Sequence, residues 1–128
     1  MSPWADLSLT ASSLVDLAEI DPFLTADMLA STANQYLAGA DSRHPQASPI
    51  YGTLSGLPPI QVHVGDIEIL RDDSLQYAAL AHAASVDATV HIWEGMPHVF
   101  ESNLGKLRAA DEAVDIIGTF LRSHMPVA

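Results

Sequence analysis

The sequence predicts an α/β fold with two parallel strands, flanking helices and an irregular N-terminal segment. Strand-like and helix-like segments alternate in the C-terminal half, a pattern that builds parallel sheets through right-handed crossovers. Of the 128 residues, 48% are hydrophobic and only 16% are charged, so the chain can bury a core. A parallel sheet normally has several strands and both faces covered. Two strands therefore predict a single partial domain over residues 1–128, the last third of a larger α/β domain.

The N-terminal part is predicted to contain one regular helix. Residues 1–20 mix Ser, Thr, Leu and Asp without sustained periodicity and are predicted to be mostly irregular. Apolar side chains recur near helical spacing after Asp21, which predicts a helix over residues 25–37 that Gly39 ends. Residues 41–59 hold four prolines and two glycines and are predicted to form a loop.

Two short strands are predicted in the C-terminal half. The segment IQVHVG, residues 60–65, places Ile60, Val62 and Val64 on one face at a period of two, and it ends at a glycine. The segment ATVHIW, residues 88–93, has the same character. Parallel pairing of the two requires a crossover helix between them.

Helices are predicted between the strands and after the second one. Asp72, Asp73 and Ser74 offer an N-cap and an acidic first turn to an alanine-rich helix, and Asp72 is interpreted as its cap. A last helix is predicted near residues 106–123, where apolar side chains at spacings of three and four form one stripe. The stripe consists of Leu107, Ala110, Val114, Ile117 and Leu121.

The charge balance argues against anionic partners. Sixteen acidic residues oppose five basic ones, for a net charge of −11. Binding to nucleic acid or to an anionic membrane surface requires a basic patch, and the basic residues are scattered, so neither partner is expected. They are Arg43, Arg71, Lys106, Arg108 and Arg122.

Composition also limits the compartment and the chemistry. The absence of cysteine excludes disulfides, thiolate metal sites and a cysteine nucleophile. The first residues, MSPWADLSLT, lack the basic and apolar regions of a signal peptide, and no run approaches the roughly 18 apolar residues of a membrane span. A cytoplasmic protein without a membrane span and without a cofactor is predicted.

The histidines and tryptophans are predicted to be mostly structural. The six histidines form no H-x-x-x-H or H-E-x-x-H pair, so no metal site is predicted. His63 and His91 alternate with apolar strand residues, and His82 and His124 fall on predicted helices. Large aromatic side chains usually serve packing. Trp4 is given this role, and so is Trp93, which could alternatively line a substrate pocket beside the loop that follows its strand.

Two loops at the carboxyl ends of the predicted strands hold the candidate chemistry. Sites of α/β sheets gather there, and the loops at residues 65–73 and 94–100 offer Glu68 and His98. A carboxylate beside one ring nitrogen fixes the tautomer of a histidine, whose other nitrogen can then act as a general base. Spacing alone does not exclude non-catalytic roles, because histidines in loops often have no catalytic function and an acid near the start of a helix often stabilises the helix dipole.

A resemblance sharpens this interpretation. Read in order, four stretches resemble the C-terminal part of the hormone-sensitive-lipase-like esterases, a branch of the α/β-hydrolase superfamily. The stretches are SPWADLSLT, DPFLTADMLASTANQYLAG, HPQASPIYGTLSGLPPIQVHVGDIEILRDDS and HIWEGMPHVF. The family carries its catalytic acid in a D-P-L-x-D-E loop and its histidine in a G-M-x-H-x-F loop. The resemblance therefore implies that Glu68 is the triad acid and His98 the triad base.

Two departures from the family pattern accompany this assignment. Glu68 stands where the family usually has aspartate, and Ile69 stands where it has proline. Either carboxylate can orient an imidazole. Asp66 and Asp72 remain the alternative acids.

The same resemblance implies motifs that this sequence does not contain. Neither an H-G-G-type oxyanion loop nor a G-x-S-x-G nucleophile elbow occurs; Ser55 in GTLSG has the wrong spacing, and Ser42 and Ser48 lie in the proline-rich loop. We expect a carboxylic-ester hydrolase by family that carries acid and base but no serine, from a split, truncated or mis-started coding region. It would be inactive alone and would act on a small-molecule ester when an N-terminal chain complements it.

The sequence also allows a second hypothesis for the function. The chain could be a non-catalytic remnant or interaction module, because a dismantled sheet exposes apolar surface and a strand edge that favour oligomerisation.

Overall fold

A two-stranded parallel sheet organises the fold, which we describe from a computed structural model for residues 1–125. Strand β1 covers Ile60–Gly65 and strand β2 covers Ala88–Trp93, as predicted to the residue. Val62 lies opposite Val90 and His63 opposite His91, so side chains of the two strands share faces in register.

Over residues 1–125 the chain forms four α-helices and two short 3-10 turns, and the last two helices pack on the sheet. The predicted helices are confirmed, with the last beginning two residues later than expected because Lys106 and Leu107 close a turn onto Asn103. Thr25 caps the second helix by accepting a hydrogen bond from Met28 N, and Ala38 ends it in the left-handed region. The helices are α1 (Ser13–Asp16), α2 (Ala26–Leu37), α3 (Arg71–Ala83) and α4 (Arg108–His124), and the 3-10 turns are Pro49–Tyr51 and Phe100–Asn103.

One local prediction is wrong, and it concerns the cap of α3. Residues 1–20 are mostly irregular, as predicted, and α1 adds one helical turn to them. Asp72 does not cap α3, whose start at Leu70 has no side-chain cap. The Asp72 carboxylate instead accepts hydrogen bonds from Ser13 N at 3.0 Å and from Ser12 Oγ at 3.1 Å. A tertiary contact thus places the capping carboxylate at the start of α1, which stabilises a helix too short to persist by itself.

The two faces of the sheet pack against different helices. Ile60 and Ala88 pack with α3 residues such as Ala81. On the opposite face, Trp93 packs against Phe100 and the alanines of α4. Alternation along each strand therefore divides the core into two layers with the sheet between them. Within residues 1–125, no helix combines the length and the apolar character that crossing a membrane requires.

Asp73 fastens the N-terminal segment to α3. The carboxylate is 2% exposed and accepts hydrogen bonds from Ala5 N at 2.9 Å and Asp6 N at 2.8 Å. Burial raises the pKa of Asp73 to about 6, although the two backbone donors act to lower it. At neutral pH the side chain is therefore mostly ionised, and it holds both amides in place.

Replacing Asp73 with alanine is expected to lower the free energy of unfolding by about 2–4 kcal/mol, because two buried N–H groups lose their acceptor. Urea unfolding at neutral pH measures the change. Asp73→Asn is the matched control, since it keeps an oxygen acceptor and should lose less than half as much. Equal losses in both variants would show that the charge, and not the two hydrogen bonds, carries the effect.

A buried histidine ladder lies on the α4 face of the sheet. His63 is 1% exposed, and its Nδ1 accepts a hydrogen bond from Trp93 Nε1 at 3.1 Å. Its Nε2 lies 3.1 Å from Gln61 Oε1, and its ring stacks on His91 with centroids 4.6 Å apart. Because Nδ1 is an acceptor, the proton belongs on Nε2 and the ring is neutral. Burial, followed by the neighbouring His91, lowers the pKa of His63 to about 4.

His63 is expected to contribute a loss of stability in mild acid. The unfolded chain binds a proton near pH 6.5, whereas the folded chain resists protonation down to about pH 4. The contribution is present above pH 6.5 and is lost progressively towards pH 4, by about 3 kcal/mol in total. Asp73 contributes a similar amount with the opposite sign, because its carboxyl pKa is raised from 3.8 to about 6 and the folded state is therefore favoured as the pH falls. Because the two contributions nearly cancel, urea unfolding should show His63→Gln gaining stability relative to the parent protein towards pH 4 and Asp73→Asn losing it.

Candidate active site

The loops that follow the two strands are hydrogen bonded to each other. Asp66 N donates to Trp93 O at 3.1 Å, and Gly95 N donates to the Asp66 carboxylate at 2.7 Å. Ile67 N donates to Met96 O at 3.4 Å. The loops that hold the acid and the imidazole therefore form one connected unit at the carboxyl edge of the sheet.

Gly65 allows this close approach. A Cβ atom at this position would lie 1.8 Å from Met96 O and 2.6 Å from Met96 C, both backbone atoms. In the sequence, Gly65 marks only the end of a strand. A glycine at the end of a strand can mark a close backbone approach, but nothing in the sequence identifies Met96 as the segment approached.

Glu68 lies in the loop just before α3 as a fully buried carboxylate. Its exposed fraction is 0%, and Ser2 Oγ donates to Oε2 at 2.9 Å. The following residue is fixed on both sides, because Ile69 N donates to the Asp21 carboxylate at 2.8 Å and Ser13 Oγ donates to Ile69 O at 2.7 Å. The acid is thus positioned by three segments that are distant in sequence.

His98 lies against Glu68. Its Nδ1 is 3.3 Å from Glu68 Oε2, and the imidazole remains 21% exposed. The distance is that of an ion pair, but the ring is not aligned for a hydrogen bond, and Nδ1 has no hydrogen-bond partner among residues 1–125. We take the pair as a contact that needs a small rotation of the ring to become a hydrogen bond. Such bonds are often loose before substrate binds.

The residue after His98 has an unusual backbone. Val99 has a φ of 47°, in the left-handed region that β-branched residues rarely adopt. Val99 N donates a hydrogen bond to Ser2 Oγ at 3.4 Å, and the same hydroxyl donates to Glu68. This turn directs Phe100 into the core, where it is 0% exposed, and leaves His98 at the surface. This strained residue lies directly beside the imidazole.

The alternative acids are engaged elsewhere. Asp66 accepts a hydrogen bond from Gly95 N, and Asp72 accepts from the start of α1 and from Arg71 Nε at 3.1 Å. The structure therefore brings His98 together with Glu68, the acid that the resemblance implies.

Glu101 is a buried acid that no sequence motif marks. It is 4% exposed, and neither carboxylate oxygen has a hydrogen-bond partner in the part of the chain described. Burial, and to a lesser extent the charge of Glu68, raises the pKa of Glu101, although its own backbone amide, the N-terminus and His98 act to lower it. A second full negative charge beside Glu68 is thereby disfavoured. No sequence pattern marks an acid three residues after a histidine as a buried neighbour of Glu68.

An apolar cavity of about 320 Å³ opens beside His98. The walls come from the N-terminal segment, α2 and the start of α3. The lining residues are Ser2, Trp4, Leu24, Met28, Leu29, Thr32, Leu70 and His98. Of the two tryptophans, Trp4 therefore lines the space next to the imidazole, whereas Trp93 packs against Phe100 with ring centroids 5.4 Å apart. Among residues 1–125, no group of three or more His, Asp or Glu side chains is arranged to hold a metal ion.

Comparisons with known proteins agree on one family. A family model described as the alpha/beta hydrolase fold matches residues 1–102. An acetyl-hydrolase of Streptomyces hygroscopicus is 37% identical over 123 residues, which cover 96% of this chain and 41% of the relative. An esterase of Acinetobacter venetianus is 34% identical over 124 residues, with coverage of 96% and 41%. The crystal structure of an esterase from the bacterial hormone-sensitive lipase family aligns with a TM-score of 0.96 at 40% identity, covering 98% of this chain and 42% of that one. The chain thus spans about 41% of the length of these curated relatives.

Proposed function

This chain belongs to the α/β-hydrolase fold family, in its hormone-sensitive-lipase-like branch, and on that premise we propose that it supplies the acid and base of a carboxylic-ester hydrolase. The observation that carries the proposal is the 3.3 Å contact between His98 Nδ1 and the buried Glu68 carboxylate. A buried carboxylate in contact with a partly exposed imidazole, at the carboxyl edge of a parallel sheet, is an arrangement suited to acid–base chemistry.

In the proposed mechanism Glu68 acts only through His98. Its carboxylate holds the proton on Nδ1, which leaves the Nε2 lone pair free to accept a proton from a serine hydroxyl as that oxygen attacks the ester carbonyl. The imidazolium that forms is stabilised by Glu68 and returns the proton to the departing alkoxide. Water then repeats the cycle on the acyl-enzyme, with His98 again as the base.

This sequence contains no G-x-S-x-G motif, so the proposed mechanism needs a serine from another segment. We propose that a complementary N-terminal chain supplies the serine, the oxyanion donors and the preceding strands. Loss of the nucleophile alone costs a serine hydrolase on the order of 10⁶-fold in kcat. The chain alone is therefore expected to be inactive.

The proposed substrate is a small ester with a short or medium acyl chain. The names of the similar proteins, an acetyl-hydrolase and an esterase, support the ester class. The cavity beside His98 supports an apolar substituent, because most of its lining is aliphatic or aromatic. We also propose that residues 1–128 form part of one hydrolase domain. The protein is proposed to be cytoplasmic, which cell fractionation tests.

A chimera tests the function. The part of the Streptomyces acetyl-hydrolase that precedes its matched segment would be joined to Ser2 of this chain and assayed with nitrophenyl acetate and butyrate. We expect hydrolysis by the chimera and none by either part alone. A chimera whose elbow serine is alanine is the control for hydrolysis by other groups. A soluble, folded chimera without activity above that control would contradict the proposal.

A non-catalytic interaction module is the second candidate. Ile92 on β2 is 55% exposed, and Leu121 on α4 is 44% exposed, so apolar surface is available for association. Sedimentation velocity over a range of concentrations tests this candidate. A monomer at all concentrations with a cooperative thermal transition would contradict it.

A further inference from the structure

Three titratable side chains lie close together in the candidate site, and the proposed mechanism uses only two of them. Glu68 and His98 are the acid and the base. The third, Glu101, belongs to the 3-10 turn Phe100–Asn103 that follows His98, and it is 4% exposed. The charges of Glu68 and His98 both affect the ionisation of Glu101. A buried acid next to another buried acid therefore has no assigned role in the hydrolysis.

A hydroxyl group joins the turn that contains Glu101 to the Glu68 carboxylate. Ser2 Oγ donates to Glu68 Oε2 at 2.9 Å and accepts from Val99 N at 3.4 Å. Val99 O accepts from Ser102 N at 3.0 Å, which closes the backbone around Glu101. Hydrogen bonds of the backbone and of Ser2 thus hold the two acids in the same region of the fold.

The two carboxylates present buried oxygens that have no donor. Glu68 Oε1 and both carboxylate oxygens of Glu101 lack a hydrogen-bond partner over the part of the chain that the structure describes, residues 1–125. Ionised carboxylates only accept hydrogen bonds, so two of them cannot satisfy each other. A proton on one acid changes this, because a neutral carboxyl group has an O–H donor and the other acid offers a free acceptor.

Glu101 is better suited than Glu68 to keep that proton. Glu68 accepts a hydrogen bond from Ser2 and contacts the imidazole of His98, and both interactions favour its ionised form. Glu101 has no comparable donor within residues 1–125. Burial, and to a lesser extent the charge of Glu68, raises the pKa of Glu101.

Few charged groups oppose this assignment. The backbone amide of Glu101, the amino terminus and His98 act to lower the pKa of Glu101, but burial is the largest influence. The helix packed on the turn is α4, and it contacts Phe100 through Ala110 and Ala113, which carry no charge. In the chimera the amino terminus is replaced by a peptide bond, so one of the opposing charges is removed there.

We propose that Glu101 is a positioning residue for the acid–base pair: as a neutral carboxylic acid it donates a hydrogen bond to Glu68 Oε1 and leaves Oε2 to face His98. This inference rests on the proposed function for the role of the pair in hydrolysis. A rotation of the Glu101 side chain makes the bond. With donors on both oxygens the buried carboxylate keeps its charge and its orientation. The proton stays on Glu101 throughout the reaction.

The protonation of Glu101 is measured in the whole chain without any catalysis. Carboxyl ¹³C NMR of the chain labelled with [5-¹³C]glutamate distinguishes neutral from ionised side chains, and Glu101→Gln and Glu68→Gln assign the two signals. At about pH 6, above the usual glutamate pKa of about 4.3, we expect a neutral Glu101 beside an ionised Glu68. The exposed glutamates should be ionised at this pH and serve as internal references; they are Glu19, Glu94 and Glu112. In Glu101→Leu, protonation of Glu68 should begin at a higher pH than in the parent chain.

Two variants separate hydrogen bonding from packing in the chimeric hydrolase. Glu101→Gln keeps a donor in its amide group, whereas Glu101→Leu fills a similar volume without one. We expect Glu101→Leu to lower kcat by about 10- to 100-fold, the effect of a hydrogen bond to a charged group, and Glu101→Gln to lower it by less than about threefold. KM should not change, because Glu101 does not contact the ester. The acid limb of the pH profile should move to higher pH in Glu101→Leu only.

Two results would overturn the inference: a Glu101 carboxyl group that is ionised at pH 6 like the exposed glutamates, or equal kcat values for Glu101→Gln and Glu101→Leu. The second would show that the fit of the side chain matters and its donor does not. These outcomes are separable from that of the chimera. A neutral Glu101 whose loss alters Glu68 in the chain, together with an inactive chimera, would leave the positioning role and remove the proposed function. An active chimera with an ionised Glu101 would do the reverse.

Discussion

Replacing His98 with asparagine is expected to lower the kcat/KM of the chimeric hydrolase by roughly 10⁴- to 10⁶-fold, because no other group is placed to take the proton of the serine. Glu68→Gln should lower it by about 10⁴-fold, because an amide beside Nδ1 no longer favours the productive tautomer or stabilises the imidazolium. Nitrophenyl butyrate hydrolysis by the purified variants measures both effects.

Asp66→Asn is the matched control for Glu68→Gln. It removes one negative charge from the same loop but keeps an oxygen that can accept the hydrogen bond from Gly95 N. We expect a change smaller than about tenfold, since Asp66 joins the loops and does not contact the imidazole in the proposed mechanism. Comparable losses at positions 66 and 68 would mean that the charge of the loop, and not the Glu68–His98 contact, supports catalysis.

Gly65→Ala is expected to destabilise the chain by about 3 kcal/mol or more, because the added methyl group overlaps the backbone of the His98 loop. The nearest atom, Met96 O, would be 1.8 Å away, and a carbonyl group cannot rotate aside as a flexible side chain can. Urea unfolding measures the loss. In the chimera the same variant should also lower activity, since the loop that carries His98 must move away from Glu68.

Gly56→Ala separates this steric effect from the loss of backbone freedom. Gly56 has a φ of 82°, and a Cβ atom there would meet nothing within 4 Å. Its substitution should cost only about 1–2 kcal/mol, the strain of a left-handed alanine. If Gly65→Ala were no more destabilising than Gly56→Ala, the close approach of the two loops would not be a constraint on the fold.

The strands and long helices were predictable from the sequence because their signals are local. Alternation of apolar residues, with proline before β1 and glycine at its end, fixes that strand to the residue. The one-turn helix α1 was not predictable, since its first N–H group, that of Ser13, is satisfied by Asp72, 59 residues later in the chain. The same distance in sequence explains why Asp72 was assigned to the wrong helix.

The residues of the candidate site also differ in whether a local sequence pattern marks them. Glu68 and His98 were identified because each follows a strand and because both fall on motifs of a known family. Gly65, Glu101 and the double role of Ser2 were not identified, because their importance depends on which segments meet in space. Ser2 donates to Glu68, 66 residues away, and no local pattern marks a serine at this position as a partner of the acid.

The tautomer of His98 tests the central claim most directly. Long-range ¹H–¹⁵N correlation spectra of the ¹⁵N-labelled chain at about pH 9, well above the usual histidine pKa of about 6.5, show which ring nitrogen carries the proton. The His98→Asn spectrum assigns the signals. If Glu68 orients His98 as an acid orients a catalytic base, the proton lies on Nδ1 and Nε2 is free, and Glu68→Gln weakens that preference. A proton on Nε2 in the parent chain would contradict the assignment of Glu68 and His98 as acid and base.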